Sequence, residues 1–547
     1  MRLVLFVSIL GAGISTLFLF LVLFSGNDWK KIPIPHQYGH TAQVDMTDVA
    51  LFDFNGDGIL DIASLSADSS PARLFLGSEG GGWQDYTEEA GFDMEGGNSI
   101  ISADFDNNGH PDILVLSDTG DKVFLSDGSR FFRDFSLGSP DFPESSVSGA
   151  VCDFDNDGLL DLYLGKDTLQ PHSKENKFYL NNGNWEGVFW QDKTEEVGLG
   201  YYLTKPVEAF QHGSWSVSCF DYDNDFDTDI FLGPDFAAIS LLENQFSDSG
   251  NLFFINVSQE KGLDIVGNWM GIVPVDFNND GYLDFFATNW GSSPEYETLH
   301  KVERLQNTLF VNNAGKRFEI FKDDVIDGTP FGWGAITFDF ENDGDKDIYY
   351  VGNFLDIFRE GDFSLYNLSV LDSPGTLLIN KNGEFINETK KHNLFNYIDG
   401  NFGEGRGISA GDINNDGYMD FVVSNRLYFN KSLIKDSADF EGKLVKGSPL
   451  VFINPGGKNN WIKIKLIGTL SNRDAIGAKI SITSESGVKQ NWTISESTYS
   501  HLSREIIAGL GQEKSVREVL ITWPSGVEQS VLNPEINERL VVTEPVK

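Results

Sequence analysis

One nine-residue pattern recurs seven times in this 547-residue chain, and it restricts the fold more than any other feature. The copies are Asp53–Asp61 (DFNGDGILD), Asp104–Asp112 (DFDNNGHPD), Asp153–Asp161 (DFDNDGLLD), Asp221–Asp229 (DYDNDFDTD), Asp276–Asp284 (DFNNDGYLD), Asp339–Asp347 (DFENDGDKD) and Asp412–Asp420 (DINNDGYMD). Positions 1 and 9 are always Asp; position 3 is Asp, Asn or Glu, and position 5 is Asp or Asn. Carboxylates gathered this densely repel one another unless a cation lies between them. A hard divalent ion fits, because Ca²⁺ accepts roughly six to eight oxygen ligands in irregular geometry. The alternation D-x-[DN]-x-[DN] is the opening of a calcium loop.

The candidate ligands are positions 1, 3, 5 and 9 of each copy. In order they are Asp53, Asn55, Asp57 and Asp61; Asp104, Asp106, Asn108 and Asp112; Asp153, Asp155, Asp157 and Asp161; and Asp221, Asp223, Asp225 and Asp229. The last three copies supply Asp276, Asn278, Asp280 and Asp284; Asp339, Glu341, Asp343 and Asp347; and Asp412, Asn414, Asp416 and Asp420. Position 6 is Gly in six copies, as a sharp turn with positive φ requires. Phe226 replaces it in the fourth, which marks that loop as distorted or weakest.

These are not EF-hands, which need Glu at position 12 and a helix on each side. Position 12 here is Ser64, Val115, Leu164, Leu232, Ala287, Tyr350 or Val423. Short apolar, β-rich runs flank the loops, such as Val49–Phe52 before the first and Ile348–Val351 after the sixth, so each loop joins two strands. A hairpin with Asn or Gly at its turn follows, as in Phe178–Gly183, Leu309–Gly315 and Leu377–Gly383. Successive loops start 49 to 73 residues apart, which leaves room for about four strands per unit and suggests propeller blades. With these hairpins, the loops resemble FG-GAP/VCBS repeats, the units of integrin-α-like propellers. The resemblance covers residues 28–455 and implies an all-β, seven-bladed β-propeller holding up to seven Ca²⁺. Trp29 to Ile34 reads as an outer strand that completes the seventh blade, or else as a plain linker.

From Gly456 no further loop occurs and the chain becomes more basic. Asn460–Leu466, Gly477–Ile482 and Val519–Trp523 alternate like strands. Ser471–Lys479 (SNRDAIGAK), Gly509–Gly511 (GLG) and Trp523–Gly526 (WPSG) resemble the ASPIC/UnbV domain, which implies a small all-β, sandwich-like domain over residues 456–547. Asn472, Arg473 and Asp474 there are either a binding site or a turn held by an internal Arg–Asp pair.

Residues 3–24 carry no charge and are long enough for a bilayer, so residues 1–27 read as an N-terminal signal-anchor, with a cleaved signal peptide as the alternative. Either places the bulk outside the cytosol, where calcium modules of millimolar affinity are loaded. Cys152 and Cys219 precede their loops by one and two residues, a parity that points them to opposite sides of their strands and predicts buried thiols. Asn256, Asn367, Asn387, Asn430 and Asn491 begin glycosylation sequons.

A net charge of −42 without a basic patch argues against nucleic acid and against anionic lipid, leaving membrane contact to the N-terminal segment. Trp215, Trp269 and Trp333 stand six or seven residues before their loop Asp, at the far end of the innermost strands. With Trp290 they are candidates for a ligand face; the alternative is packing between blades. No catalytic residue is assigned: Gly407–Gly411 matches G-x-S-x-G but runs directly into a loop instead of a helix, and no H-E-x-x-H occurs. The expected function is calcium-dependent binding or adhesion to an extracellular protein or glycan. A propeller-based enzyme acting on polysaccharide, or a bare scaffold, is the alternative.

Overall fold

The structure is a computed structural model. It describes residues 29–34, 47–66, 70–79, 81–139, 142–143, 145–166, 176–184, 190–199, 214–235, 237–290, 306–329, 331–352, 375–398, 401–429 and 444–546. The N-terminal segment proposed as an anchor, and most of the long insertions after the second strands, lie outside these residues.

Nearly all regular structure is β. Seven antiparallel sheets of four principal strands follow one another along the chain, and in each a loop of the repeated pattern joins the first strand to the second. The first strands are Val49–Phe52, Ser99–Ala103, Ser148–Cys152, Ser214–Phe220, Trp269–Val275, Ala335–Phe338 and Asn401–Gly411. Each packs beside the next, and the seventh returns to the first, where Ser409 Oγ accepts the Leu51 N–H at 3.0 Å. The seventh sheet takes its outermost strand from the other end of the chain: Lys30–Pro33 pairs antiparallel with Leu450–Ile453.

An aromatic ring fixes most steps of the ring. Position 2 of a loop lies at the base of its own blade and packs on the outer strand of the following one. Phe54 meets Phe131 at 5.2 Å, Phe105 meets Trp190 at 5.1 Å, Phe154 meets Phe254 at 5.7 Å and Tyr222 meets Phe318 at 5.8 Å. Phe277 meets Phe385 at 5.5 Å, and Phe340 stacks on Trp29 at 5.6 Å. Trp29 therefore does for the seventh blade what Phe131 does for the second, which explains why the strand beginning at Lys30 must be tied back. Aromatic pairs of this kind add about 0.5–1.5 kcal/mol each beyond the area they bury.

Cys152 and Cys219 form a disulfide, contrary to the buried thiols expected. The two side chains do lie on opposite sides of their strands, and that parity brings them together. Neighbouring blades stack face against face, so side chains on opposite sides of two adjacent inner strands point at each other. The bond links the inner strands of blades three and four.

Residues 456–546 form two further sheets. One holds Asn460–Ile467 between Glu505–Gly511 and Arg539–Thr543; the other has Lys479–Ser484 and Val516–Thr522 at its centre, flanked by Lys489–Thr493 and Glu528–Leu532. Trp523 and the apolar faces of both sheets share a core.

Between Thr493 and Glu505 this domain sends a hairpin into the centre of the ring. Glu496–Ser497 pairs antiparallel with the inner strand of blade four, and Ser500–Leu502 runs parallel to that of blade seven. Tyr499 turns the tip with φ +58°. Every blade contributes a contact. The carboxylate of Asp48, at the start of blade one, meets His501 Nε2 at 3.1 Å, and the Ser102 carbonyl of blade two accepts Arg504 Nη2 at 2.8 Å. Thr498 Oγ1 donates to the Gly149 carbonyl of blade three at 2.8 Å and accepts the Val217 N–H of blade four at 3.2 Å. Ser497 Oγ donates to the Ile272 carbonyl of blade five, Ser500 Oγ accepts Ala335 N–H of blade six at 3.0 Å, and Ile408 N of blade seven donates to the Tyr499 carbonyl at 3.0 Å. The hairpin satisfies inner-strand polar groups that water would otherwise have to reach.

His501 lies buried between Asp48 and Glu496. Burial alone would lower its pKa, but the two carboxylates outweigh it and raise it to about 10. The imidazolium therefore stabilises the docked hairpin fully below the unfolded histidine value of about 6.5, and that contribution is lost as pH rises through about 10. Denaturant unfolding between pH 6 and 11 should show this alkaline loss, and the His501→Gln variant should show a flatter profile over the same range.

Candidate metal centres

Each loop is built on two aspartates with separate tasks. The position 1 carboxylate folds the turn: in loop three Asp153 Oδ1 accepts Asp157 N–H at 3.1 Å and Oδ2 accepts Gly158 N–H at 2.9 Å. The position 9 carboxylate ties the turn to the sheet. Asp161 Oδ2 accepts Phe154 N–H at 3.0 Å, and Oδ1 accepts Asn181 N–H, at the end of the third strand, at 2.8 Å. The second bond repeats in all seven blades, from Gly77, Ser126, Asn181, Asn244, Asn312, Asn380 and Asn454. All seven position 9 residues are buried.

What remains after these bonds faces the middle of the loop. In loops two, three and four, ligand atoms of Asp104, Asp106 and Asp112, of Asp153, Asp155 and Asp161, and of Asp221, Asp223 and Asp225 lie within 4.8 Å of one another. Asp53 Oδ1, Asp155 Oδ1 and Asp223 Oδ1 are buried oxygens that accept no hydrogen bond among the described residues. Buried anionic oxygens without a donor are costly, and an all-oxygen set of this kind fits Ca²⁺. In loops one, five and seven position 3 is Asn, and its amide N–H donates to the position 5 carboxylate: Asn55 to Asp57 and Asn278 to Asp280 at 3.0 Å, and Asn414 to Asp416 at 3.1 Å. Those sets offer an amide oxygen at position 3, where loops two to four offer a carboxylate. The fourth loop keeps its turn despite Phe226, which adopts φ +73° with its ring half exposed. The distortion expected there extends to the turn's hydrogen bonds: Asp221 Oδ1 accepts the N–H of Asn224, position 4, at 2.7 Å, where Asp153 Oδ1 accepts that of position 5.

The carboxylates feel this crowding. Burial first, then Asp157 and Asp155, raises Asp153 to about 8; burial, then Asp343, raises Asp339 to about 8. Asp161 and Asp229 are driven up in the same direction, chiefly by burial.

Position 4 is a determinant that the sequence reading passed over. It is Asn in six loops and Gly56 in the first, always at positive φ. From there Asn107, Asn156, Asn224, Asn342 and Asn415 each donate to the position 6 carbonyl of the next loop, at 2.8–3.0 Å. The last of these, Asn415 to Gly58, joins blade seven to blade one. The signal was present as a column of Asn, but only the ring geometry gives it a partner.

The C-terminal domain rests on the same loops and reads positions 1 and 4. Lys479 Nζ donates to Asp221 Oδ2 at 2.6 Å and also to Asn224. Lys463 Nζ reaches Asp412 at 3.2 Å and Asn415 at 2.8 Å. Asn491, the last sequon, donates to Asp276 at 2.9 Å and to Asn279 at 3.1 Å. Asp474 accepts Asp104 N–H at 2.9 Å, while Arg473 N–H donates to Asn107 at 3.0 Å. The Asn472–Asp474 motif is thus a docking turn. Asn472 closes it through both N–H and C=O of Ile476, and the arginine beside Asp474 is Arg504, at 3.8 Å, rather than Arg473.

The four tryptophans separate. Trp269 is fully buried against Phe310, and Trp333 is buried under Arg406, whose guanidinium lies 3.9 Å above its ring, and against Tyr499. These two are packing residues, because the blades and the hairpin tip cover them. Trp215 and Trp290 are half-buried at the edge of the Met270–Trp333–Tyr499 cluster.

The repeats and the docked domain together define a class. Residues 53–115 and 104–164 match the FG-GAP-like repeat model, 405–434 the FG-GAP repeat model, and 468–547 the model described as ASPIC and UnbV. The chain therefore carries FG-GAP-type repeats joined to a C-terminal ASPIC and UnbV segment. Among curated proteins it is similar to cartilage acidic protein 1 of Xenopus tropicalis, 24% identical over 519 residues, covering 82% of this chain and 73% of that protein. The Homo sapiens protein of the same name is 32% identical over 166 residues, covering 28% of this chain and 24% of its own length. Two solved structures superpose loosely: a Dos1 propeller (TM-score 0.36, 9% identity, 79% of this chain and 95% of that one) and the V. cholerae biofilm matrix protein Bap1 (TM-score 0.31, 9% identity, 89% and 72%).

Tying the turn to the sheet, at position 9, and holding an ion, at position 3, are separable by mutation. Asp161→Ala leaves two backbone donors without partners, so it should lose about 2–6 kcal/mol whether or not calcium is present. Asp155→Ala should lose stability only with calcium present. Urea unfolding of both variants, in calcium and in chelator, checks this.

Proposed function

We propose that this chain is an extracytoplasmic, calcium-stabilised binding protein whose recognition surface for a protein or glycan lies on the propeller face opposite the loops. The convergence of three carboxylates in each of loops two, three and four, with a buried oxygen left without a donor in loops three and four, carries the calcium part of this reading. The Cys152–Cys219 bond supports an oxidising compartment, in keeping with the FG-GAP-type repeats and the cartilage acidic protein similarity. The central channel is filled by the hairpin, so a ligand must be met on the outer face. There Trp215 and Trp290 offer aromatic area of the kind that dominates binding hot spots. The role is recognition rather than catalysis: the loop carboxylates are committed to backbone N–H groups and to the cation, which leaves them poor general bases.

Calcium and protons should compete for the loops. With raised folded-state values, the metal-free carboxylates contribute stability below about pH 4 that is lost as pH climbs through about 8. Calorimetry in chelator should therefore show a melting temperature that falls from pH 5 to pH 8. Added Ca²⁺ should raise it strongly at pH 8 and weakly at pH 5; no calcium response at either pH refutes the calcium reading.

The tryptophans divide in the same manner. Trp269→Ala should lose about 3–5 kcal/mol. Trp215→Ala and Trp290→Ala should each lose less than half as much and weaken capture on a glycan or extracellular-protein array. Wild-type silence on both arrays refutes the recognition reading, and turnover of an arrayed polysaccharide favours an enzyme.

A further inference from the structure

Resting on the calcium reading above, we infer that loop six, Asp339–Asp347, does not hold calcium, because the ammonium group of Lys381 occupies its ligand side chains as a built-in cation.

The hairpin turn that follows the third strand of blade six leans over the loop and takes up four of its acidic side chains. Lys381 Nζ forms ion pairs with Glu341, position 3, and with Asp343, position 5, the latter at 3.2 Å. Asn382 N–H donates to Asp345, position 7, at 3.1 Å, and Asn380 N–H to Asp347, position 9, at 2.8 Å. Glu at position 3 occurs only in this loop, and its longer arm lets the carboxylate reach the lysine.

Blade three provides the comparison. The residue that corresponds to Lys381, directly after the asparagine that bonds position 9, is Asn182, whose side-chain oxygen accepts Asn184 N–H within its own turn. Among the described residues of that turn, nothing positive is then offered to loop three. Asp153, Asp155 and Asp161 converge within 4.8 Å, a grouping that the acidic side chains of loop six do not make among the described residues, although Glu341 Oε2, like Asp155 Oδ1, is a buried oxygen that accepts no hydrogen bond there. In the other blades the corresponding residues are Ser78, Asp127, Gln245, Asn313 and Pro455, so a cation at this place belongs to blade six alone. A second lysine, Lys346 at position 8, is buried beside the same loop and bonds Asn279 of loop five. That lysine adds positive charge where an entering dication would be repelled. Loop six thus has its position 3 and position 5 carboxylates paired in cis, and no more than six loops are left for calcium.

Equilibrium dialysis of the full chain against Ca²⁺ counts the sites, with circular dichroism and cooperative unfolding as the checks on folding. Lys381→Met should bind one more Ca²⁺ per chain than the wild type, and calcium should restore the stability that the substitution removes. Glu341→Gln should leave the wild-type count unchanged, whereas Asp155→Asn should lower it by one. An unchanged count in folded Lys381→Met, or loss of one equivalent in Glu341→Gln, overturns the inference. If Lys381→Met does not fold, the Glu341→Gln count decides. A wild type that binds no calcium at all overturns the broader calcium reading, whereas loss of one equivalent in Glu341→Gln from a calcium-loaded wild type overturns this inference alone.

Discussion

The position 9 carboxylate is the constraint on which each blade rests. It is buried, and it takes one backbone N–H from the start of the loop and another from the end of the third strand, so it joins three strands of a blade at a single point. A buried carboxylate costs free energy unless it is well partnered, and two N–H donors compensate only part of its charge. The remaining charge is what a cation can use. One residue thus does both: the group that ties the loop to the sheet is also a group that leaves it in need of positive charge. The same need explains why lysines gather at this end of the ring, Lys463 and Lys479 from the docked domain and Lys381 from within a blade.

Much of this was legible in the sequence because the repeat exposes it. Seven copies of Asp at positions 1 and 9 specify the loop, and the apolar runs on either side place it between strands. The tie from Trp29 to the last blade could be suspected because the final repeat lacks its outer strand. The rest depends on relations between units that one unit cannot display. The column of Asn at position 4 was visible, but its partner is a carbonyl in the next loop, 51 to 75 residues away in four steps and 357 residues away in the closing one. The fourth of those steps is the 75-residue one, and the ring skips loop five, where Asn279 accepts from Lys346 instead.

The cysteine pairing was missed for a similar reason: parity within a strand says nothing until the stacking of blades is known. The tryptophans were placed at the correct end of their strands, yet the hairpin tip at Tyr499 covers Trp333 and converts part of the expected ligand face into core. That hairpin was the least legible element. Its sequence, Glu496–Arg504, is polar and carries no strand alternation, because its side chains bond to six different blades, and its backbone to the seventh, instead of sharing one apolar face.

The hairpin also bears on the order in which the molecule can be completed. Blades one to six can each form their sheet from contiguous chain, but the seventh needs Lys30–Pro33 to meet Leu450–Ile453, and the channel is filled only by residues near 500. A chain emerging from its N-terminus must therefore carry an open arc of blades, with unpaired inner-strand groups, until residues near 500 have emerged. Contacts of such long sequence separation form slowly and expose strand edges in the meantime. The last tenth of the chain is thus the part that ends this exposure, so truncations near the C-terminus act on the ring itself and not merely on the domain they remove.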